Sequence, residues 1–201
     1  MLTEMKRRKY TLRQRAAKQD ETRARIVAAA MALHEELGPG ATTVSAVAGR
    51  AGVQRLTVYR HFPDDASLFE ACTSHWLSLH PPPVPAQWEG IADADARCRA
   101  ALADFYSYYR RTAGMWRAAY RDLAQVPALA GPMDRVEAHL AGVRDDLVAA
   151  WKPAPADRQA LEATTALALR FTTWDELQRL GLDTDAMAAL AARWMACIGG
   201  G

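Results

Sequence analysis

The sequence predicts an all-α fold with a small three-helix helix-turn-helix domain at the amino end and a larger helical domain after it. Apolar residues recur at helical spacing along most of the 201 residues. No stretch of any length alternates apolar and polar residues as a half-buried strand would, and clusters of Gly and Pro separate the helical stretches. Half of the residues are hydrophobic, so the chain can bury a sizeable core.

The first 20 residues are polar, rich in Lys and Arg, and without apolar periodicity. A segment of this composition buries too little apolar surface to fold, so we expect residues 1–20 to form a disordered basic arm. Two roles fit such an arm: it lies along a DNA backbone or in a minor groove, or it is a solvated tail. The basic residues concerned are Lys6, Arg7, Arg8, Lys9, Arg13, Arg15 and Lys18.

A first helix is predicted from Thr22, because apolar residues then recur every three or four positions as far as Leu37. The sequence Gly38-Pro39-Gly40 ends this helix. Its apolar side is expected to pack across the two short helices that follow.

The segment 42–62, TTVSAVAGRAGVQRLTVYRHF, predicts two short helices joined by a tight turn. The Thr43 hydroxyl can accept a hydrogen bond from a free N–H group at the start of a helix that begins near Val44. Gly52 lies where the chain reverses and needs a positive φ, which costs a residue with a Cβ atom free energy. Two helices joined in this way have the shape of a DNA-reading element.

The second short helix spans 54–61 and turns Val58 inward, which leaves polar side chains free to meet a duplex. Arg and Gln form bidentate hydrogen bonds with guanine and adenine edges, so Gln54, Arg55 and Thr57 are predicted to approach bases. Thr43, Tyr59 and His61 are predicted to approach phosphates. Leu56 either touches a thymine methyl group or packs against the protein. The full set of predicted DNA-binding residues is Thr43, Gln54, Arg55, Leu56, Thr57, Tyr59, Arg60 and His61.

A fourth helix is predicted over 64–79, and the proline-rich sequence PPPVP at 81–85 ends it. The rest of the chain divides into further helical stretches at Pro127, Pro132, Pro153, Pro155 and Gly181. These stretches are predicted at 93–112, 114–125, 132–151, 156–180 and 184–197.

The ordered set ATTVSAVAGRAGVQRLTVYRHFPDDASLFEA resembles the DNA-binding domain of the tetracycline-repressor (TetR) family of bacterial transcription regulators. The resemblance covers roughly residues 22 to 72. It implies a DNA-binding domain at 21–66 and an effector-binding and dimerisation domain at 67–201. One position departs from the family pattern, because Asp65 stands where members commonly carry a lysine. An acidic side chain would repel a nearby phosphate, which bears on a contact from the fourth helix and not on the recognition helix.

The resemblance also implies a repressor that a hydrophobic small molecule releases from a palindromic double-stranded DNA operator. In this family the carboxy-terminal helices enclose the effector, and a homodimer forms through the last two helical stretches. Aromatic side chains are concentrated after residue 62, and candidates for the effector-binding wall are Phe105, Tyr106, Tyr109, Trp116, Tyr120, His139, Arg170 and Trp174. Ordinary core packing is the alternative for each. The alternative function is a DNA-binding activator, or a repressor released by a protein, with no small-molecule effector.

Charge divides along the chain, since residues 1–62 hold 12 Lys and Arg against 5 Asp and Glu, whereas residues 63–201 hold 13 against 18. A basic first third favours a polyanionic partner. The three Cys residues form no CxxC pair, and no apolar run reaches the ~20 residues that span a bilayer. We therefore expect a cytoplasmic protein without a membrane partner.

The sequence offers little catalytic or metal-binding chemistry. It contains no glycine-rich phosphate loop and no nucleophile elbow. Cys72, His75 and His80 cluster in the sequence, and Cys72 and His75 would share a helix face, but no fourth metal ligand is evident. No enzyme activity, metal or cofactor is expected.

Overall fold

The computed structural model describes the backbone of residues 2–200 and the side chains of residues 13–200. Within these residues the chain forms nine α-helices and two short 3-10 turns and contains no strand, which confirms the all-α prediction. The helices are α1 (Leu2–Leu37), α2 (Val44–Ala51), α3 (Arg55–His61), α4 (Asp65–Leu79), α5 (Ala94–Asp122), α6 (Ala130–Trp151), α7 (Pro155–Leu169), α8 (Phe171–Arg179) and α9 (Thr184–Gly199). The 3-10 turns are Pro85–Gln87 and Pro127–Leu129. None of the helices within residues 2–200 combines the length and the apolarity needed to cross a membrane.

The chain divides into two compact units whose bounds differ from the predicted domain bounds. The first unit comprises Met1–Leu79 and Arg117–Ala130, and the second comprises His80–Trp116 and Gly131–Gly201. The sequence places a boundary after residue 66, whereas α4 belongs to the first unit as a whole. The reason is that α4 contributes Leu68 and Cys72 to the core that α1, α2 and α3 share.

The core of the first unit is built from the apolar faces of α1 to α4. Ile26 and Ala30 of α1 are fully buried, and Val47, Val58 and Phe62 are at most 2% exposed. At burial of this extent, each large side chain stabilises the fold by about 1.5–3 kcal/mol relative to an exposed position. This core fixes α3 against the rest of the unit.

Helix α1 begins at Leu2, whereas the sequence predicts a disordered arm over residues 1–20 and a helix start near Thr22. Residues 1–37 contain no Gly or Pro, and the Ala, Gln, Lys, Arg and Leu residues among them favour helix. The Thr22 hydroxyl donates to the Lys18 carbonyl at 2.8 Å, so Thr22 lies inside a helix and does not cap one. The side chains of residues 13–21 are all exposed. Met1 lies outside the described residues.

Two differences from the predicted helices lie in the second half of the chain. The predicted stretches 93–112 and 114–125 are joined in α5, because Gly114 inside a helix costs only about 1 kcal/mol and helix-forming neighbours offset it. The predicted stretch 156–180 is instead divided into α7 and α8 at Arg170, whose backbone is extended (φ −72°, ψ 141°). No Gly or Pro marks this break in the sequence.

Side chains from α5 stabilise the break between α7 and α8. The Tyr106 hydroxyl donates to the Ala168 carbonyl at 2.8 Å, and the Tyr109 hydroxyl donates to the Leu169 carbonyl at 2.7 Å. Carbonyls in the last turn of a helix have no partner within the helix, and a buried one without a hydrogen bond costs about 1–3 kcal/mol. The two buried tyrosines supply these partners from about 60 residues away.

Candidate nucleic-acid interface

The corner between α2 and α3 has the geometry that its sequence predicts. The Ala46 amide donates to the Thr43 hydroxyl at 3.2 Å, so Thr43 caps the amino end of α2. Gly52 adopts a left-handed conformation (φ 65°, ψ 39°), and the Val53 amide donates to the Ala48 carbonyl at 3.0 Å. A Cβ atom on Gly52 would meet nothing within 4 Å, so the backbone conformation and not a lack of space calls for glycine here.

Helix α3 presents almost its entire surface outward. Among its residues only Val58 is buried, and Phe62 at its carboxyl end is buried beside it. The Arg23 guanidinium of α1 lies over the Phe62 ring, 4.7 Å from its centroid, and holds this end of the helix. The exposed residues are Gln54, Arg55, Leu56, Tyr59 and Arg60, and the half-buried ones are Thr57 and His61. The structure therefore brings all seven of these predicted residues together on one short helix and its cap.

Leu56 is 80% exposed, although a leucine side chain normally gains free energy by burial. The sequence leaves open whether Leu56 packs against the protein or meets a partner. The structure excludes packing within the described chain, so its apolar side chain is available for contact with an apolar group such as a thymine methyl.

The arginines of the two short helices differ in their partners. Arg50 of α2 forms a bidentate ion pair with Glu36 of α1 at 2.5 and 2.7 Å. Arg55 and Arg60 of α3 form no ion pair with any described residue. Two guanidinium groups on α3 are therefore free to bind phosphates or guanine edges.

The two acidic residues before and at the start of α4 have different roles. The Ser67 amide donates to the Asp64 carboxylate at 2.7 Å, so Asp64 caps the helix. Asp65 in the first turn is exposed and forms no ion pair with another described residue.

The turn before α2 is held by Arg121 and Asp122, two residues that the sequence does not single out. The Gly40 amide donates to the Asp122 carboxylate at 2.8 Å, and the Arg121 guanidinium donates to the Leu37 carbonyl at 3.1 Å. The ion pair with Arg121 and the hydrogen bond from Gly40 lower the pKa of Asp122 below its ordinary value. More than 80 residues separate the partners, so no local signal in the sequence identifies this contact.

The aromatic residues predicted to line an effector site pack closely in the second unit. Tyr109 lies at the centre, with its ring centroid 5.5 Å from that of Phe171, 5.8 Å from Trp116 and 6.0 Å from Trp174. Phe105 lies 5.9 Å from Tyr109. At these distances the rings are in contact with one another.

The other predicted effector-binding residues occupy different surroundings. His139 Nε2 lies 2.9 Å from the Pro83 carbonyl oxygen, and because a carbonyl only accepts, Nε2 carries the proton. Arg170 is exposed and pairs with Glu137 at 3.1 Å. Tyr120 belongs to the first unit, whereas the ring cluster belongs to the second. Direct contact of these residues with an effector stays a prediction.

No group of three or more His, Cys, Asp or Glu in the described part of the chain is arranged to hold a metal ion. Cys72 is buried and its Sγ lies 3.8 Å from the Val27 carbonyl oxygen. Burial raises the pKa of this thiol to about 12. Cys72 therefore behaves as a small apolar core residue.

Comparison with known proteins finds a family match for the amino-terminal part of the chain. Residues 26–72 match the family model described as bacterial regulatory proteins, tetR family. No curated protein matches the chain.

Solved structures resemble the chain over most of its length. A TetR-like transcriptional regulator from Rhodococcus sp. RHA1 has 18% identity and a TM-score of 0.62, over 90% of this chain and 97% of that one. Another transcriptional regulator from Rhodococcus sp. Rha1 has 18% identity and a TM-score of 0.60, over 88% and 95%. NalD of Pseudomonas aeruginosa, the secondary repressor of the MexAB-OprM multidrug efflux pump, has 22% identity and a TM-score of 0.57, over 89% and 95%.

The family match falls on α1 to α4, where the structure shows the capped α2, the left-handed Gly52 and the outward-facing α3. The similar structures extend the shared fold to about nine-tenths of the chain. Residues 26–72 therefore match the tetR family of bacterial regulatory proteins, and the chain shares the all-α fold of the similar solved structures, with a helix-turn-helix domain at its amino end.

Proposed function

We propose that this protein is a transcriptional repressor that binds a palindromic DNA operator as a homodimer and leaves it when a hydrophobic small molecule binds. The observation that carries the proposal is the exposure of α3. Burial of Val58 anchors the helix, while two arginines without ion pairs, a glutamine and an 80% exposed leucine face outward. A helix of this composition suits the major groove, where guanine, adenine and thymine each present a distinct edge.

The roles within this helix follow from side-chain chemistry. Arg55 and Gln54 lie at the amino end of α3, the end that reaches base edges in helix-turn-helix proteins. Tyr59 is 42% exposed one turn later and is assigned to a phosphate. Thr43, exposed at the start of α2, is assigned to a phosphate as well.

A homodimer is supported by apolar surface on the last helices of the chain. Leu167 of α7 is 54% exposed and Leu180 after α8 is 70% exposed. Leu190, Trp194 and Ile198 of α9 are half-buried. A second copy of the chain would cover such side chains, and two-fold symmetry would make the operator palindromic.

Release by a hydrophobic compound is supported by the aromatic content of the second unit. Tyr and Trp side chains combine apolar rings with one polar tip and commonly line ligand sites. The solved repressor NalD, which controls a multidrug efflux pump, has the same fold. A compound would enter by displacing part of the contacts between Phe105, Tyr109 and Trp174.

A second function has one observation in its favour. The rings of the second unit are closely packed, and Tyr106, Tyr109 and Trp174 are at most 2% exposed. Closely packed rings of this kind are expected of a regulator without a small-molecule effector. The second candidate is therefore a DNA-binding regulator that acts as an activator or is released by a protein partner.

Selection of bound sequences from random duplex DNA tests the first part of the proposal. The proposal predicts an inverted repeat with half-sites spaced by about one or more helical turns, and a dimer mass in light scattering. Failure to enrich any sequence, or a single-protomer mass at micromolar concentration, would contradict it.

A screen then separates the two candidates. Lipophilic and aromatic compounds are tested first for a rise in melting temperature and then for loss of operator binding by fluorescence anisotropy. A compound that produces both effects supports the ligand-released repressor. If no class of compound changes either the melting temperature or operator binding, the regulator without an effector is supported.

A further inference from the structure

A groove of about 720 Å³ lies within the first unit, beside the helix-turn-helix. The start of α2, the start of α4 and residues 125–128 form its walls. Its volume falls in the range of sites that hold drug-sized molecules. The groove shares no residue with the aromatic cluster of the second unit.

The residues that line the groove include a stacked aromatic pair, His34 and Phe69. The His34 imidazole lies parallel to the Phe69 ring, with 4.7 Å between centroids and 19° between planes. His34 is only 5% exposed, and burial lowers its pKa to about 4, so the ring is neutral at pH 7. A neutral imidazole has one donor and one acceptor, yet neither ring nitrogen of His34 makes a hydrogen bond to another described residue. The buried ring that lines the groove thus has polar atoms available to a bound molecule.

The charge of the groove is negative. Asp64 and Asp65 line it, and neither forms an ion pair with a described residue. No Lys or Arg is among the residues that form its walls. The amino ends of α2 and α4 each contribute about half a positive charge, so two carboxylates leave about one net negative charge. Asp64 is engaged by the Ser67 amide, whereas the exposed Asp65 carboxylate is free.

We propose that this groove binds an organic cation with a flat apolar body. Its ammonium group pairs with Asp65, and its apolar body lies between Val44 and the His34–Phe69 pair. The site lies outside the effector site of the proposed function and does not depend on it.

Three compounds of nearly identical shape test the proposal by isothermal titration calorimetry on the full chain without DNA. The probes are 2-naphthylmethylammonium, the neutral 2-naphthylmethanol and the anionic 2-naphthoate. The cation is expected to bind at least tenfold more tightly than the alcohol, and the carboxylate more weakly than either. Absence of cation binding at millimolar concentration, or equal affinity for cation and alcohol, overturns the proposal.

Matched variants locate the bound cation. Asp65→Asn is expected to reduce the affinity for the cation to that for the alcohol, and Asp65→Glu to restore most of it. Asp185→Asn, which removes an acidic residue from the first turn of α9 in the second unit, is the control and should change nothing. The imidazole resonances of His34 should shift on addition of the cation.

If Asp65→Asn leaves cation affinity unchanged, or the His34 resonances stay in place, the cation binds elsewhere and the proposal is wrong. Melting temperatures of each variant without ligand show whether the fold is retained. Because no DNA is present, failure here is independent of whether the chain binds an operator.

Discussion

The buried His34 makes the stability of the protein depend on pH in a defined window. The folded chain holds its pKa at about 4, whereas the unfolded chain returns it to the ordinary value of 6.5. Below pH 6.5 the unfolded state therefore binds a proton that the folded state does not bind, and stability falls as pH falls. The loss continues down to pH 4, where the folded state becomes protonated as well.

The size of this loss in the free energy of unfolding follows from the two pKa values of His34, in the folded and in the unfolded chain. Within the window each pH unit lowers the free energy of unfolding by about 1.4 kcal/mol, which amounts to about 3 kcal/mol between pH 6.5 and pH 4. This is a large fraction of the 5–15 kcal/mol typical of a domain. The pKa of Asp122 is lowered from 3.8, so the stability that this carboxylate contributes is lost only below about pH 3.8, outside the window of His34.

Urea unfolding followed by circular dichroism at pH 7, 6, 5 and 4 measures this effect. His34→Phe keeps an aromatic ring against Phe69 and removes the titrating group, so its stability should fall with pH less steeply than that of the wild type, by about 1.4 kcal/mol per pH unit. His75→Gln, at an exposed position of α4, is the control and should follow the wild type. Equal pH dependence in the wild type and His34→Phe would show that His34 is not the group that titrates in this window.

Three further substitutions test the fold. Gly52→Ala should cost about 1 kcal/mol in urea unfolding, because φ is +65° while the surrounding space is open; no loss would contradict the role of backbone conformation. Gly38→Ala should lower the free energy of unfolding by more than Gly52→Ala, because φ is +92° and the new Cβ would lie 1.8 Å from the Arg121 guanidinium. A loss no larger than that of Gly52→Ala would show that the Arg121 side chain moves away freely. Tyr109→Phe should lower stability by about 1–3 kcal/mol, because it leaves a buried carbonyl of α7 without a donor, and a neutral result would show that the carbonyl finds another partner.

Local signals in the sequence predict the helix-turn-helix well. Thr43 caps α2 and Gly52 ends it in a left-handed conformation, and both features depend on residues only a few positions apart. Val58 is buried on α3 because helical periodicity within seven residues determines which side faces the core. For the same reason the outward-facing residues of α3 can be identified from the sequence.

Features that depend on distant residues are not predicted. The break at Arg170 is stabilised by hydroxyl groups of Tyr106 and Tyr109 on α5, and the turn at Gly40 is held by Asp122. No Gly or Pro near Arg170 indicates the break. Composition also predicts a disordered arm at residues 1–20, whereas helix propensity without breakers gives a continuous α1.

The effector-binding wall is predicted only in part: the sequence shows where the aromatic residues are concentrated, but not what their rings contact. The sequence concentrates Phe105, Tyr109, Trp116 and Trp174 in the second unit, and the structure brings their rings together. Composition cannot distinguish a ring that lines a cavity from a ring that packs against its neighbours. The centroid distances show that these rings pack against one another, and their contact with an effector stays a prediction.

The proposed function depends on α3 reading base edges through Arg55, and DNA-binding measurements on arginine variants test this role. Fluorescence anisotropy compares the affinities of the wild type, Arg55→Ala and Arg110→Ala for a selected operator and for duplexes changed at single base pairs. Arg110, exposed on α5 in the second unit, serves as the matched arginine control. Arg55→Ala should lose about 1–3 kcal/mol of binding free energy and its discrimination at one base pair, while Arg110→Ala should keep both. Unchanged base preference in Arg55→Ala, or no preference of the wild type for any duplex over scrambled competitor at low salt, would contradict it.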